Sequence, residues 1–261
     1  LTKADIVYET EVEGGITRLM AVFQDVTAAE KIGSIRSARY PYVDLAMGHN
    51  AIYVHCGQDN TYCAPHLKDT DDIDLMSKNY GVRLKNGLSS EHTLYAYGEK
   101  LWSSIVGDGH KTANSSTDAW VNFADASSPV ALESTANTVS VPFSTSYKSV
   151  FKYDADKGSY TRYFGNTERK DYFTKESESF KNVFVLLTTI RNYPDGKHRE
   201  VLLNSGEGYY CVNGTYTAIK WSKGAANNCF KFTAADGTEL TVNPGNSWVC
   251  IADASTSKPV F

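Results

Sequence analysis

The second half of the chain alternates apolar and polar residues almost throughout, and this pattern constrains the fold more than any other feature. Successive side chains of a strand point to opposite faces, so such alternation predicts half-buried β-strands. The turn sequences Asn213-Gly214, Asp236-Gly237 and Pro244-Gly245 separate these segments and are typical of antiparallel hairpins. The predicted strands are Thr138–Pro142, Lys148–Tyr153, Ser159–Phe164, Val183–Ile190, Arg199–Leu203, Gly208–Val212, Thr215–Trp221, Phe230–Phe232, Glu239–Val242 and Ser247–Ile251.

The first half mixes strand and helix patterns. Strands are expected at 5–10, 17–24, 31–37 and 51–56, and helices at 41–50 and 94–106. The apolar run Leu19–Phe23 is equally compatible with a helix. Strand, helix, strand order over residues 31–56 favours an α/β arrangement. We therefore predict an α+β chain, with a mixed α/β domain at residues 1–136 and a mainly antiparallel β domain at residues 137–261.

Composition and charge exclude two classes of function. The chain has 26 basic and 30 acidic residues, a formal net charge of −4, so no nucleic-acid partner is expected. No apolar run approaches the ~18 residues of a membrane helix. Leu1 is not an initiator methionine, and the residues after it do not resemble a leader. We expect a mature or trimmed chain.

Familiar catalytic and cofactor-binding motifs are absent from the sequence. It has no phosphate-binding Gly-x-x-x-x-Gly-Lys-Ser/Thr loop, no Gly-x-Ser-x-Gly elbow, no His-Glu-x-x-His and no Gly-x-Gly-x-x-Gly that opens a helix. His49, His55, Cys56, Cys63 and His66 lie within a short span, but their spacing fits no familiar zinc pattern. We expect neither a cofactor nor a metal. Cys56 and Cys63 are close enough in sequence to form a disulfide, and the sequence leaves this open.

Arg36 and Arg39 form the strongest candidate binding motif. If a strand ends at residue 35 and the chain then turns toward Pro41, both guanidinium groups emerge at a strand end beside the start of a helix. Open α/β sheets bind ligands at such places, and guanidinium groups bind phosphate or carboxylate through paired hydrogen bonds. The alternative, almost equally compatible with the pattern, is internal pairing with Glu9, Glu11, Glu13 or Asp44.

Charged residues also crowd the glycine pair Gly14-Gly15. Arg18 either provides a third guanidinium group that binds an anion or fixes the conformation of this loop. The glycines either allow a ligand to approach the backbone closely or form a plain hairpin turn. Glu13 is a candidate general base, but a carboxylate beside arginines is also a common salt-bridge partner.

Two histidines are candidates for proton transfer. His55 ends a predicted buried strand, and His92 lies in a loop ahead of a predicted helix. For each of them the alternative is a structural histidine that neither transfers protons nor binds a ligand.

Six stretches of the chain carry a family pattern, namely ADIVYE (4–9), VEGGITR (12–18), IGSIRSAR (32–39), AIYVHCG (51–57), WSK (221–223) and PGNSWV (244–249). They resemble the YerB-like lipoproteins of Gram-positive bacteria, and the resemblance covers nearly the whole chain. It implies an exported protein tethered to the outer face of the cytoplasmic membrane through a lipidated cysteine upstream of Leu1. The domains of that family are of unknown function, so the resemblance implies a location rather than an activity.

We therefore expect an extracytoplasmic protein that binds an anionic small molecule or envelope polymer, such as a phosphorylated lipid carrier. The expected ligand-binding residues are Arg18, Arg36, Arg39, Gly14 and Gly15. One alternative is a cell-envelope enzyme of phosphoryl or glycosyl-phosphate transfer, with protons handled by Glu13, His55 or His92. Another is a protein-interaction scaffold. Contact with the membrane is expected only through the lipid anchor, and the sequence leaves the oligomeric state open.

Overall fold

The computed structural model describes residues 1–114 and 119–261, and the chain is mostly β, with 39% strand and 12% helix. The first strands are β1 (Ile6–Glu11), β2 (Thr17–Val22), β3 (Ile32–Gly33), β4 (Tyr53–His55), β5 (Asp72–Asp74), β6 (Gly81–Arg83) and β7 (Leu94–Ala96). The helices are α1 (Tyr40–Gly48), α2 (Ala64–Leu67) and α3 (Gly98–Gly107), and 3-10 turns cover Glu13–Gly15, Val26–Ala28 and Ser90–His92. The later strands are β8 (Asn122–Phe123), β9 (Ser134–Thr135), β10 (Thr138–Pro142), β11 (Lys148–Asp154), β12 (Ser159–Phe164), β13 (Thr167–Glu168), β14 (Ser179–Phe180), β15 (Asn182–Thr188), β16 (Ile190–Asn192), β17 (Arg199–Val201), β18 (Ser205–Val212), β19 (Thr215–Ser222), β20 (Lys231–Ala234), β21 (Thr241–Val242) and β22 (Ser247–Asp253).

Contacts divide the chain into two compact units. Unit 1 comprises Leu1–Val22, Ala119–Gly224 and Phe230–Phe261. Unit 2 comprises Phe23–Asp118, described up to residue 114, and Ala225–Cys229. This grouping differs from the consecutive segments 1–136 and 137–261 expected from the sequence, because β1 pairs with β22 of the second half and β2 pairs with β1.

The main sheet of unit 1 is mixed. In the described residues its strand order is β2-β1-β22-β15-β18-β19-β20, with β9 beside β19. β1 and β15 both run parallel to β22, which lies between them, whereas the neighbours on either side are antiparallel. The hairpin of β18 and β19 turns at Asn213-Gly214, as the sequence predicts. The hairpin predicted at Pro244-Gly245 is not formed, because β21 pairs with β8 and β22 pairs with β1 and β15. The central parallel strands come from distant parts of the chain and have no such local signal.

Aromatic residues fill the core between the two larger sheets of unit 1. The second sheet has the order β10-β11-β12-β13, with β14 beside β12. Trp248 of β22 is fully buried and packs against Phe151 of β11 at 5.7 Å and Phe180 of β14 at 5.0 Å between ring centroids. Large aromatic surfaces of this kind contribute strongly to stability when they are buried.

Unit 2 is built around a smaller core. The sheet β3-β7-β6 and the parallel pair β4-β5 supply its strands. Ile73 of β5, Leu94 and Ala96 of β7, and Leu101 and Ile105 of α3 are buried together. Two segments lie against this hydrophobic cluster, one before α1 and one after β4. Ile35 of the first and Cys56 of the second pack against it.

The structure confirms some local predictions and corrects others. The helix expected at 41–50 is α1, and the run Leu19–Phe23 is part of β2 up to Val22 rather than a helix. The helix expected at 94–106 begins only at Gly98, because Leu94–Ala96 are all buried and pair as β7 with both β3 and β6. Of the strand expected at 31–37, only Ile32–Gly33 is regular.

Two further points concern a disulfide between Cys56 and Cys63 and helices that could cross a membrane. Cys56 and Cys63 are both free thiols, so the disulfide considered for them is not formed. None of the helices in the described part of the chain is both long and apolar enough to cross a membrane.

Candidate functional site

Residues 35–39, here called the arginine segment, lie in unit 2 just before α1. The amide of Ile35 donates to the carbonyl of Leu94, 2.8 Å away, on one side. On the other side the amide of Cys56 donates to the carbonyl of Arg36 at 3.0 Å, and the amide of Ala38 donates to Gly57 at 2.8 Å. The backbone of the segment is therefore fixed between β7 and the end of β4.

Arg36 makes its side-chain contacts at the surface. Its Nη2 donates to Oε2 of Glu91 at 2.9 Å, and its Nη1 lies 3.0 Å from Nδ1 of His92. The side chains of Arg36, Glu91 and His92 are 29%, 59% and 43% exposed. A guanidinium group only donates hydrogen bonds, so Nδ1 of His92 must accept here and its proton must be on Nε2. The carboxylate partner, Glu91, is not among the four that the sequence suggested.

Arg39 directly precedes α1, at the N-cap position of the helix. Its carbonyl accepts from the amides of Tyr42 and Val43 at 3.0 and 3.3 Å, and its Nη1 donates to the carbonyl of Ala38 at 2.8 Å. Pro41, in the first turn of α1, has no amide hydrogen. The first turn of the helix therefore offers few donors, and the guanidinium groups of Arg36 and Arg39 are the main positive groups of the segment.

His55 has the surroundings of a structural histidine. It is 2% exposed, with Nδ1 3.0 Å from the carbonyl of Gly57 and Nε2 2.9 Å from Oδ2 of Asp72. Both ring nitrogens are thus engaged by oxygen atoms, and the bond to Gly57 fixes the turn after β4. Proton transfer by His55 stays a prediction that this geometry does not favour.

In unit 1, β1 and the 3-10 turn that follows it carry three glutamates, Glu9, Glu11 and Glu13, here called the glutamate row. Glu9 and Glu11 lie on one face of β1 because side chains alternate along a strand, and Glu13 follows in the 3-10 turn. Their side chains are 0%, 6% and 26% exposed. The row therefore runs from the core to the surface, and each member contacts a different arginine.

Glu9, Arg162 and Glu178 form a buried ion network. Nη1 of Arg162 donates to Glu178 at 3.0 Å, and its Nη2 lies 3.5 Å from Glu9, while the guanidinium carbon lies 4.5 Å from the ring centroid of Trp248. Burial opposes the charged form of Arg162, but the charges of Glu9 and Glu178 and the hydrogen bond to Glu178 raise its pKa above the ordinary value. This network fixes the two sheets to each other.

The carboxylate of Glu9 is fully satisfied by hydrogen bonds. It accepts them from Thr17 at 2.8 Å, Ser149 at 2.7 Å, Trp248 at 3.0 Å and Tyr147 at 3.1 Å. Four donors around one buried carboxylate meet the hydrogen-bonding needs of both of its oxygens. Its role is therefore structural.

Glu11 is the intermediate member of the glutamate row. It accepts a hydrogen bond from Nη2 of Arg199. Burial raises the pKa of Glu11, and Asp253 raises it further, whereas the hydrogen bond and charge of Arg199 lower it; the net direction is upward. Glu11 is thus easier to protonate than an exposed glutamate.

Glu13 and Arg18 contact each other across the glycine turn. Nη2 of Arg18 lies 3.9 Å from Glu13, and Nε2 of His198 lies 3.6 Å from it. Gly14 and Gly15 have φ of 74° and 70°, a region that favours glycine, so they form the hairpin turn between β1 and β2. Arg18 thus contacts the loop that it was expected either to fix or to complement, and its ligand role stays a prediction.

His198 also contacts a second carboxylate. Its Nδ1 lies 2.5 Å from Oδ2 of Asp195, three residues earlier. The hydrogen bonds from His198 and from the amide of Lys197 lower the pKa of Asp195 to about 2.

The predicted site residues are distributed over both units. Arg36, Arg39, His55 and His92 belong to unit 2, and the structure joins Arg36 to His92. The others, namely Glu13, Gly14, Gly15 and Arg18, belong to unit 1. Among the described residues, no group of three or more His, Cys, Asp or Glu side chains is arranged to hold a metal ion.

The sequence reasoning missed the partner of Arg36 and the burial of Glu9. Glu91 is 55 residues from Arg36, and nothing local signals their contact. The burial of Glu9 did have a signal, because the pattern Glu-x-Glu-x-Glu at 9–13 within a strand places Glu9 and Glu11 on one face.

Comparison with known proteins gives a consistent result over both halves. Residues 1–111 match the family described as "Protein of unknown function (DUF3048) N-terminal domain", and residues 139–249 match its "C-terminal domain". The chain is 25% identical over 262 residues to a Bacillus subtilis (strain 168) protein named "Putative lipoprotein YerB", covering 96% of this chain and 75% of the relative. The crystal structure of YerB protein from Bacillus subtilis is similar with a TM-score of 0.83 at 23% identity, covering 100% of this chain and 87% of that one. At this identity the structural likeness shows a shared fold.

Proposed function

The chain belongs to the DUF3048 family, and from this premise we propose that it is an extracytoplasmic protein, tethered to the membrane by a lipid anchor, that binds an anionic cell-envelope ligand through Arg36 and Arg39. The location follows the name of the relative, which describes a lipoprotein. The ligand is inferred from the chemistry of the arginine segment.

The exposure of the Arg36 ion pair is the observation that carries the proposal. An ion pair between exposed side chains contributes little to stability, so it exchanges readily with other partners. Glu91 is 59% exposed, and the guanidinium group of Arg36 is held at the surface by a fixed backbone. An oxyanion can therefore replace Glu91 without a change of fold.

Guanidinium chemistry favours phosphate among the anions of a cell envelope. The planar fork of arginine binds two oxygens of a phosphate or carboxylate side by side. Arg39, three residues from Arg36, adds a second positive charge at the same end of α1. A phosphorylated lipid carrier or a phosphate-containing glycopolymer fits this chemistry.

Calorimetric titration tests the binding. The probes are a short polyisoprenyl phosphate, its neutral alcohol, and poly(glycerol phosphate). We expect a phosphate probe to bind and the alcohol not to bind, and we expect Arg36→Gln and Arg39→Gln each to weaken binding roughly tenfold or more, since a hydrogen bond to a charged group contributes about 1.5–3 kcal/mol. Arg191→Gln, which removes an exposed arginine of unit 1, is the matched control. Unchanged affinity in both site variants would refute the proposal.

The same titration separates the proposal from its alternatives. A phosphate probe that is consumed by the protein, with loss of turnover in His92→Gln, would favour a transferase. A protein that binds none of the probes but forms a complex with another envelope protein would favour the scaffold.

Protease treatment of intact cells that make the full-length protein tests the location, because an extracytoplasmic protein is digested while cytoplasmic proteins survive.

A further inference from the structure

Glu91 pairs with the guanidinium group of Arg36, the group to which the proposed ligand binds. Its Oε2 accepts from Nη2 of Arg36 at 2.9 Å. We infer that Glu91 is a built-in competitor, a carboxylate that occupies Arg36 until an external tetrahedral oxyanion such as phosphate or sulfate displaces it. This inference rests on the proposed function of the arginine segment and concerns its regulation.

The loop that carries Glu91 is held without the Arg36 contact. Nη1 of Arg83 donates to the carbonyl of Ser90 at 2.6 Å and to Oγ1 of Thr93 at 3.2 Å. The hydroxyl of Thr93 donates to the same carbonyl at 2.7 Å, and the side-chain amide of Asn86 donates to the carbonyl of His92 at 3.3 Å. The other carboxylate oxygen of Glu91, Oε1, lies 3.4 Å from the hydroxyl of Ser89 and 3.6 Å from Nε2 of His92. Release of the carboxylate therefore gives up these surface contacts by rotation of the side chain, and the loop backbone keeps its place.

A tetrahedral oxyanion can replace both present partners of Arg36. Glu91 uses Nη2 and His92 uses Nη1, so the two outer nitrogens of the guanidinium group are engaged by two different side chains. Phosphate and sulfate present two oxygens to these nitrogens at once, which a guanidinium group binds in parallel. His92 contacts Arg36 through one ring nitrogen only, so it loses a single hydrogen bond and can turn toward solvent.

The charge of Glu91 opposes the external anion in two ways. It must leave Arg36 before the anion can bind, and after it leaves it still repels the anion from nearby. Glutamine at this position keeps the size and one acceptor oxygen but removes the charge. Glu91→Gln should therefore bind oxyanions more tightly than the natural chain, although it removes a contact seen in the structure.

The test is an NMR titration with sulfate and, separately, inorganic phosphate at constant ionic strength. We expect Glu91→Gln and Glu91→Ala to tighten the Kd roughly three- to tenfold. Glu99→Gln, which removes an exposed carboxylate from the first turn of α3, is the matched charge control and should change the Kd less than about twofold. Arg36→Gln should abolish binding, both alone and combined with Glu91→Gln.

The outcomes distinguish this inference from the function on which it rests. If Arg36→Gln weakens binding but both Glu91 variants bind as the natural chain does or more weakly, the competitor role is refuted and the binding function stands. If Glu99→Gln tightens binding as much as Glu91→Gln, the effect is one of net charge and the inference also fails. If Arg36→Gln binds normally, the inference is refuted, and if Arg39→Gln also binds normally the proposed function is refuted with it.

Discussion

Arg162 in unit 1 and Arg36 in unit 2 both pair with glutamates, but in opposite surroundings. Arg162 is buried between Glu9 and Glu178 and lies over the ring of Trp248. Arg36 is part-exposed and pairs with a glutamate that is largely in solvent. The same two functional groups thus form a fixed structural network in one unit and an exchangeable contact in the other. The surroundings of an arginine, more than its sequence neighbours, decide whether it is available to a ligand.

The largest expected effect is the loss of the buried arginine. Arg162→Met leaves two buried carboxylates without their counter-charge, so we expect the free energy of unfolding to fall by about 3–5 kcal/mol. Urea denaturation followed by tryptophan fluorescence measures it. A loss below about 1 kcal/mol would mean that the network is not structural and that the comparison with Arg36 fails.

The next effect is the neutralisation of Glu9. Glu9→Gln keeps the shape but replaces one acceptor oxygen with an amide that faces hydroxyl and indole donors, so we expect a loss of about 1.5–3 kcal/mol. Glu200→Gln, which breaks the exposed pair with Arg191, is the control and should cost less than about 1 kcal/mol. Equal losses in the two variants would contradict a difference set by burial.

Glu11 should give a smaller effect that depends on pH. Its pKa is raised above 4.5, mainly by burial, so the folded state binds its proton more readily than the unfolded chain does. The stability gained from this proton is fully present below 4.5 and is lost as the pH rises through the raised pKa. The natural chain should therefore gain stability relative to Glu11→Gln as the pH falls from neutral to about 4. Urea denaturation of both proteins across this range measures it, and a difference that moves the other way would contradict the assignment.

The smallest effect on stability is expected for the exposed arginine. Arg36→Gln removes a surface ion pair, so the free energy of unfolding should change by less than about 1 kcal/mol. The same urea experiment measures it beside Arg162→Met. A loss comparable to that of the buried variant would show that Arg36 is a structural residue and would weaken the case for a ligand there.

Local features of the fold were predictable from the sequence, whereas distant pairings were not. The hairpins of the second half and the position of α1 follow from turn residues, alternation and helix-start signals over a few residues. Leu94–Ala96 fit a helical spacing, yet pairing on both sides made them a strand. β22 pairs in parallel with β1 and with β15, and no short-range sequence pattern encodes these two pairings.

The candidate site shows the same limit. Arg36 and His92 were each singled out from local motifs, and the structure brings them into contact. Glu91 was overlooked as a partner because its contact with Arg36 arises from the packing of β7 beside the arginine segment. The position of Glu9 beside Glu11 follows from strand alternation, but its ion-pair partner Arg162 lies on β12 of a second sheet.

The position of β22 ties completion of unit 1 to the synthesis of residues 247–253. β22 lies between β1 and β15, so β1 obtains its central neighbour only after β22 has been made. Contacts of such long sequence separation form slowly, because a long loop must close before they stabilise the chain. A nascent chain that stops before Ser247 has the hairpin of β1 and β2 and the later hairpins, but not the strand that joins them. Such a chain exposes two apolar strand edges, which makes truncated products targets for aggregation or degradation.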